Sequence, residues 1–294
     1  MIWVLFAIGA SIVNALYYMC LQNIQLKPRV FMIYRGMIVA LMVTPFLLFY
    51  QMLSAWQFYL ISFIQGLIVA CLDLRLFKAN KQYGAETVSS ITPITVAAVF
   101  MIWCLVDPMI IVKYAGNPLK SAFIMLSLCG IIFAMMKYRK VKFTKDAVIF
   151  LIPVIVLDAI CSVLNKTIMA YSEDSLYGLC YWRIFITSLI VGIVHLVFYL
   201  REKDSVKELI DCNNLKKTYF FALMPMSMLF RNMGMYYAEN PSYVSALVYT
   251  SLLWIIFFNR HIHFIHFNRV YMQMDKKWAM VMLISVIILI LATS

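Results

Sequence analysis

The sequence is poor in charged residues, and this scarcity excludes most soluble folds. Asp, Glu, Lys and Arg make up 13% of the 294 residues, whereas apolar residues make up 64%. Soluble domains average about 25% charged residues, and their surfaces could not accommodate this much apolar area. The composition also excludes a disordered chain, a collagen-like repeat and a small disulfide-stapled scaffold. We therefore expect lipid to be the main solvent of this protein.

The motifs of common catalytic and metal sites are absent as well. The seven cysteines are scattered without a C-x-x-C pair, so no disulfide framework is predicted. No P-loop, G-x-G-x-x-G or G-x-S-x-G motif opens a helix. His261, His263 and His266 have a spacing that could hold a metal, but they lie between Arg260 and Arg269, whose charges oppose cation binding. We predict that the protein is not an enzyme and has neither a metal nor a cofactor.

Long apolar runs are what the sequence has instead. A bilayer core about 30 Å thick requires a helix of about 20 residues, and ten runs fit this requirement. Their polarity does not alternate as it would in the strands of a membrane β-barrel. The predicted spans, numbered 1 to 10 in chain order, are 2–22, 30–50, 56–77, 84–106, 119–136, 147–170, 176–200, 217–238, 241–258 and 277–293. The predicted fold class is an all-α integral membrane protein with ten transmembrane helices and short connectors.

The basic residues lie on one side of this arrangement. The net charge is +12, and 18 of the 25 Lys and Arg residues lie in the odd-numbered connectors. The even-numbered connectors contain only Lys113 and Lys120. The positive-inside rule then places the odd connectors in the cytoplasm and both termini on the far side. Anionic lipid head groups, rather than nucleic acid, are the expected partners of these basic loops.

The two halves of the chain carry matching features. Arg35 in span 2 and Arg183 in span 7 lie at similar depths and are 148 residues apart, which is about half the chain length. Ser89 and Ser245 lie near the starts of spans 4 and 9. Five spans per half is an odd number, so the second half must be inverted relative to the first. The sequence predicts two five-helix repeats, 1–140 and 141–294, with a substrate site near the membrane midplane between them.

These features resemble a known family. The ten short helices, the arginines in spans 2 and 7 and the Ser-rich starts of spans 4 and 9 are similar to the drug/metabolite transporter superfamily, specifically its ten-helix EamA-like branch. The stretch from Ala79 to Pro93 is the best match to the alanine–small–Ser…Pro pattern of that family. The resemblance implies a multi-pass transporter of the cell (inner) membrane. It also implies cytoplasmic termini, whereas the charge distribution indicates the opposite, so the orientation stays open.

Polar residues inside the predicted spans mark the candidate site. A charge at mid-bilayer costs roughly 2.5–3.5 kcal/mol on insertion scales, so it requires a partner or a wet cavity. Helical spacing puts Asp158, Ser162 and Asn165 on one face of span 6, and similar polar stripes occur on spans 1, 4 and 9. Together these stripes predict a polar cavity, with close packing of small residues as the alternative. The candidate substrate or ion pathway residues are Asn14, Tyr18, Arg35, Asp73, Glu86, Ser90, Asp158, Ser162, Asn165, Arg183, Arg231, Ser245 and Tyr249.

The predicted function is secondary transport of a small polar metabolite by alternating access. The arginines would attract a carboxylate or phosphate group, while Asp73, Asp158 or Glu86 would hold an amine or carry a coupled proton. An amino-acid-like solute and another charged solute both suit this mixture of groups. The alternative is a lipid flippase or a non-transporting membrane binding protein. The predicted partners are a small-molecule solute and membrane lipid, and the sequence leaves the direction of transport, the coupling ion and the oligomeric state open.

Overall fold

Helices account for the regular secondary structure of the chain in the computed structural model. The structure describes residues 1–21, 26–83, 88, 91–138, 145–172, 175–202, 209, 218–261 and 276–293, and these contain no β-strand. The helices are α1 (Ile2–Leu21), α2 (Pro28–Leu47), α3 (Trp56–Tyr83), α4 (Thr95–Val106), α5 (Met109–Gly116), α6 (Pro118–Tyr138), α7 (Lys145–Ile168), α8 (Leu176–Arg201), α9 (Leu223–Tyr237), α10 (Pro241–Tyr249), α11 (Ser251–His261) and α12 (Lys276–Thr293). Short 3₁₀ turns precede α4 and α9 and follow α7.

Among the residues that the structure describes, seven helices are long and apolar enough to cross a membrane. They are α1, α2, α3, α6, α7, α8 and α12, and the number rises to eight if α4 and α5, which meet at an angle of 106°, form one broken span. The prediction of an all-α, multi-pass membrane protein is therefore confirmed. This result covers neither the count of ten helices nor the inverted repeat, and both stay predictions.

In the described residues, the predicted spans 84–106, 217–238 and 241–258 contain shorter helices, namely α4, α9, and α10 with α11. Pro93 lies in a 3₁₀ turn before α4, and Pro225 lies in the first turn of α9. Proline is tolerated at a helix start because the first N–H groups have no partner within the helix. The break between α10 and α11 falls at Thr250, whose hydroxyl donates to the Leu247 carbonyl at 2.6 Å. Local backbone chemistry therefore shortens these helices below the length of a straight span.

Helices α2 and α8 cross at closely approaching backbones. A Cβ added to Gly36 would meet the backbone of Gly192 and would lie 2.6 Å from the Ser188 carbonyl oxygen. Between membrane helices, small residues allow this approach and the van der Waals packing that follows from it. Around this pair, α1 packs against α9, α3 packs against α7 and α8, and α12 packs against α6. The crossing therefore packs α2, which carries Arg35, directly against α8, which carries Arg183.

Substitution of Gly36 tests this crossing. Gly36→Ala forces the two backbones apart, so we expect a loss of about 1–3 kcal/mol of stability, the usual cost of overpacking. The measurement is the temperature at which the detergent-solubilised protein loses its monodisperse gel-filtration peak. Gly116→Ala is the control, because no atom lies within 4 Å of a Cβ placed there. Equal stability of the two variants would show that the close approach is not required.

Candidate functional site

Charged and phenolic side chains from several helices converge on one region. Tyr18 on α1 interacts electrostatically with Arg35 on α2, Asp73 on α3, Asp158 on α7 and Arg231 on α9. Asp73 and Asp158 also lie close enough to influence each other. Five helices therefore contribute to one polar cluster, which we call the central cluster.

The central cluster is partly exposed. Tyr18 is 45% exposed and lies within electrostatic range of charged groups of four other helices. The side chains of Arg35 and Asp73 are 18% and 12% exposed, respectively. Exposure to an aqueous space at this position would lower the cost that hydrocarbon imposes on these charges.

Arg35 and Asp73 neutralise each other. Nη1 of Arg35 donates to Oδ2 of Asp73, which joins α2 to α3. Removal of one partner of a half-buried ion pair strongly destabilises the folded protein, because the other charge is left unpaired. The pair therefore adds no net charge to the central cluster.

Asp158 and Arg231 instead bind neutral hydroxyl groups. The Tyr249 hydroxyl donates to Oδ2 of Asp158 at 2.7 Å, and Nη2 of Arg231 donates to the Ser162 hydroxyl at 2.8 Å. In the part of the chain that the structure describes, neither residue forms an ion pair. Both are half-buried. They therefore present one negative and one positive charge that a solute could bind.

Arg183 is held by two amide side chains. Its Nε donates to Oε1 of Gln65 at 3.0 Å, and its Nη1 donates to Oδ1 of Asn232 at 2.6 Å. Gln65 is oriented in turn by its Nε2, which donates to the Cys161 carbonyl at 3.0 Å. Sequence reasoning missed Gln65 and Asn232. The requirement that selects charged residues inside the spans could also have selected these two, because an amide inside an apolar span likewise requires a hydrogen-bond partner.

Four further predicted site residues either form no hydrogen bond with the described charged groups of the central cluster or lie outside the described residues, and Asn14 binds a neighbouring helix. Asn14 accepts a hydrogen bond from Ser227 at 2.5 Å, which ties α1 to α9. Asn165 and Ser245 are each 2% exposed, and Oδ1 of Asn165 and Oγ of Ser245 have no hydrogen-bond partner among the described residues. Glu86 and Ser90 lie outside the residues that the structure describes. The roles of all these residues in a pathway stay predictions.

Lys166 caps the end of a neighbouring helix. Its Nζ donates to the carbonyl oxygens of Met235, Tyr236 and Ala238 at 2.8, 3.2 and 2.6 Å. The last carbonyl groups of a helix have no partner within it, and a cation at that end also interacts favourably with the helix dipole. Lys166 therefore links α7 to the C-terminal end of α9.

A second polar cluster joins α5 to the start of α10. The hydroxyls of Tyr114 and Tyr243 share a hydrogen bond of 2.6 Å, and Nδ2 of Asn240 donates to the Tyr114 hydroxyl at 3.2 Å. Nearby, Nζ of Lys113 lies 2.5 Å from Oε1 of Glu239. We call these five residues the α5–α10 contact. Lys113, Tyr114, Glu239 and Asn240 of this contact belong to the predicted even-numbered connectors.

No metal centre is present in the described part of the chain, where no three His, Cys, Asp or Glu side chains cluster. His263 and His266 lie outside that part, as does the side chain of His261.

Comparison with known proteins identifies no relative. No protein-family model matches the chain, and no curated protein is similar to it. The resemblance to drug/metabolite transporters therefore rests on the sequence features alone.

Removal of the Lys166 charge tests its capping role. We expect Lys166→Met to lower the stability by about 1–3 kcal/mol, because carbonyl groups at the end of α9 lose their donor. The measurement is thermal stability in detergent. Lys113→Met is the matched control, since Lys113 and Glu239 are 60% and 58% exposed and an exposed ion pair contributes about 0–1 kcal/mol. A loss in Lys166→Met no larger than in the control would contradict the capping role.

Proposed function

We propose that the protein is a secondary transporter that moves a small polar solute across a membrane by alternating access. The observation that supports this most directly is the central cluster, in which Tyr18 is 45% exposed among charged groups of four other helices. Asp158 and Arg231 are bound only by hydroxyl groups there. A solute with charged or polar groups could replace those hydroxyls and recover the cost of losing its own water.

We further propose ten spans arranged as two inverted repeats. In this arrangement spans 1 to 5 are α1, α2, α3, α4 and α6, and spans 6 to 10 are α7, α8, α9, α10 with α11, and α12. Several contacts between helices are consistent with this arrangement. When each helix is replaced by its counterpart in the other half, these contacts become other observed contacts or stay the same. The α1–α9 contact becomes α7–α3, and the α1–α10 contact becomes α7–α4. The α2–α8, α4–α10 and α6–α12 contacts become themselves.

This symmetry supports the mechanism as well as the architecture. Inverted repeats meet around a midplane site, and transport follows when one half rocks against the other. Arg35 and Arg183 lie on α2 and α8, the two helices that cross at Gly36 and Gly192. A pivot of closely packed small residues would allow rotation while the surrounding contacts exchange.

The two sides of the molecule differ, as expected for one end state of an alternating-access cycle. Tyr18 lies in the last turn of α1, and Arg35 lies two turns into α2, so both are close to the basic connector that joins these helices. On the opposite side, the α5–α10 contact ties the first half to the second. We propose that the cavity is open towards the basic side and closed at the α5–α10 contact. The basic side would face the cytoplasm of a cell membrane.

Replacement of Asp158 tests transport at the central cluster. The solute is chosen by a thermal-shift screen of amino acids, nucleotides and sugars, because a bound ligand stabilises the folded protein. We expect wild-type protein in liposomes to equilibrate the radiolabelled hit and Asp158→Asn to lose at least nine tenths of the initial rate, since the site loses its negative charge. Asp146→Asn is the matched control, because Asp146 is exposed in the first turn of the same helix.

Two results would contradict the proposal. One is equal flux in Asp158→Asn and wild type, which would remove the central cluster from the pathway. The other is wild-type protein that scrambles fluorescent phospholipids but equilibrates no soluble solute, which would indicate a lipid flippase.

A further inference from the structure

Arg183 is a buried charge without a counter-charge. It is 5% exposed, and its two hydrogen-bond acceptors, Gln65 and Asn232, are neutral amides. No carboxylate in the described part of the chain lies within ion-pair distance of it. A buried charge that lacks an opposite charge is strongly unfavourable, and inside a membrane it indicates function.

The charges in the described part of the site leave the same excess. Arg35 is neutralised by Asp73. Among the other charged residues described there, Arg183 and Arg231 interact with each other as like charges, and Asp158 is the only negative charge near them. The described site therefore has one positive charge more than it has negative charges. A ligand with a single negative charge would balance it.

The position of Arg183 leaves it one nitrogen for such a ligand. Nε and Nη1 donate to the amides, and these are the hydrogen bonds that the Arg183 side chain forms with described residues, so Nη2 is left for a ligand. Arg183 also lines a cavity of about 30 Å³ together with Arg35, Thr187 and Ser188. This volume accommodates a water molecule or one oxygen of a small anionic group. A guanidinium whose other nitrogens are fixed is well suited to bind a carboxylate, because it is planar and loses little freedom on binding.

We propose that Arg183, supported by Arg231, binds the carboxylate of the transported solute, and that this solute is a small organic monoanion. The inference rests on the proposed transport function and names its substrate class. Gln65 and Asn232 act as positioning residues, since they hold the guanidinium in place without neutralising it. A neutral sugar or a cationic amine would leave the excess charge of the site unbalanced.

The test measures binding in detergent, independently of transport. Sodium propionate, propionamide in sodium chloride and sodium chloride alone are compared at equal sodium concentration by the thermal midpoint of the protein. Propionamide has the shape of propionate without its charge. At about ten times its Kd, propionate should raise the wild-type midpoint by about 2–4 °C relative to both other conditions.

Variants assign this shift to Arg183. We expect Arg183→Gln to lose the propionate shift and Arg183→Lys to keep part of it, because lysine retains the charge. Arg201→Gln is the matched control, since Arg201 is exposed in the last turn of the same helix. A role limited to structure would lower the basal midpoint of Arg183→Gln but leave its propionate shift intact. If Arg183→Gln does not fold, Arg231→Gln is measured instead. From the concentration dependence of the shift, its apparent affinity for propionate should be at least threefold weaker than that of the wild type.

The outcomes separate this inference from the proposed function. Equal stabilisation by propionamide, equal stabilisation by chloride, or a full shift in Arg183→Gln would each overturn the carboxylate site, even if the protein transports another solute. A propionate shift that depends on Arg183 would support the site. If protein with this Arg183-dependent shift then equilibrated no solute in liposomes, the proposed transport function would be wrong and the carboxylate site would stand.

Discussion

Charge in a low-dielectric interior is the constraint on which this structure depends. An isolated ionised side chain is too costly in hydrocarbon, so each must find an opposite charge, a set of dipoles or water. The protein shows the first two solutions directly. Asp73 pairs with Arg35, and the carbonyl groups at the end of α9 surround the Lys166 ammonium. Tyr18 in the central cluster is 45% exposed, and the proposed cavity would supply the third solution there.

Helix α7 connects most of these solutions. Over about two turns, Asp158 binds Tyr249 on α10, Ser162 binds Arg231 on α9, and Lys166 caps α9. The Cys161 carbonyl orients Gln65 on α3, which in turn holds Arg183 on α8. A movement of α7 would therefore change the surroundings of Asp158, Arg231 and Arg183. In the proposed transport cycle, this is the physical link between solute binding and the relative motion of the two halves.

Much of the site could be anticipated from the sequence, because a charge within an apolar run is conspicuous. Arg35, Asp73, Asp158 and Arg231 were selected in this way, and the structure brings them to one region. The partners of Arg183 were not selected, since uncharged Gln65 and Asn232 interrupt hydropathy less than a charge does. The partners of Lys166 leave no trace in the sequence, because its acceptors are backbone carbonyl groups 69 to 72 positions away. No side-chain pattern reveals such a partner.

The sequence by itself determined the solvent, the secondary structure class and the multi-pass arrangement, because apolar run length and charge content depend only on composition and spacing. The tertiary structure alone decided which charges are neutralised. Arg35 and Arg183 lie 148 residues apart at similar depths of predicted spans 2 and 7, yet one meets a carboxylate and the other meets two amides. The difference arises because electrostatic energy depends on distances of a few ångströms between helices. Those distances are fixed by packing, such as the contact of Gly36 with Gly192, and not by position along the chain.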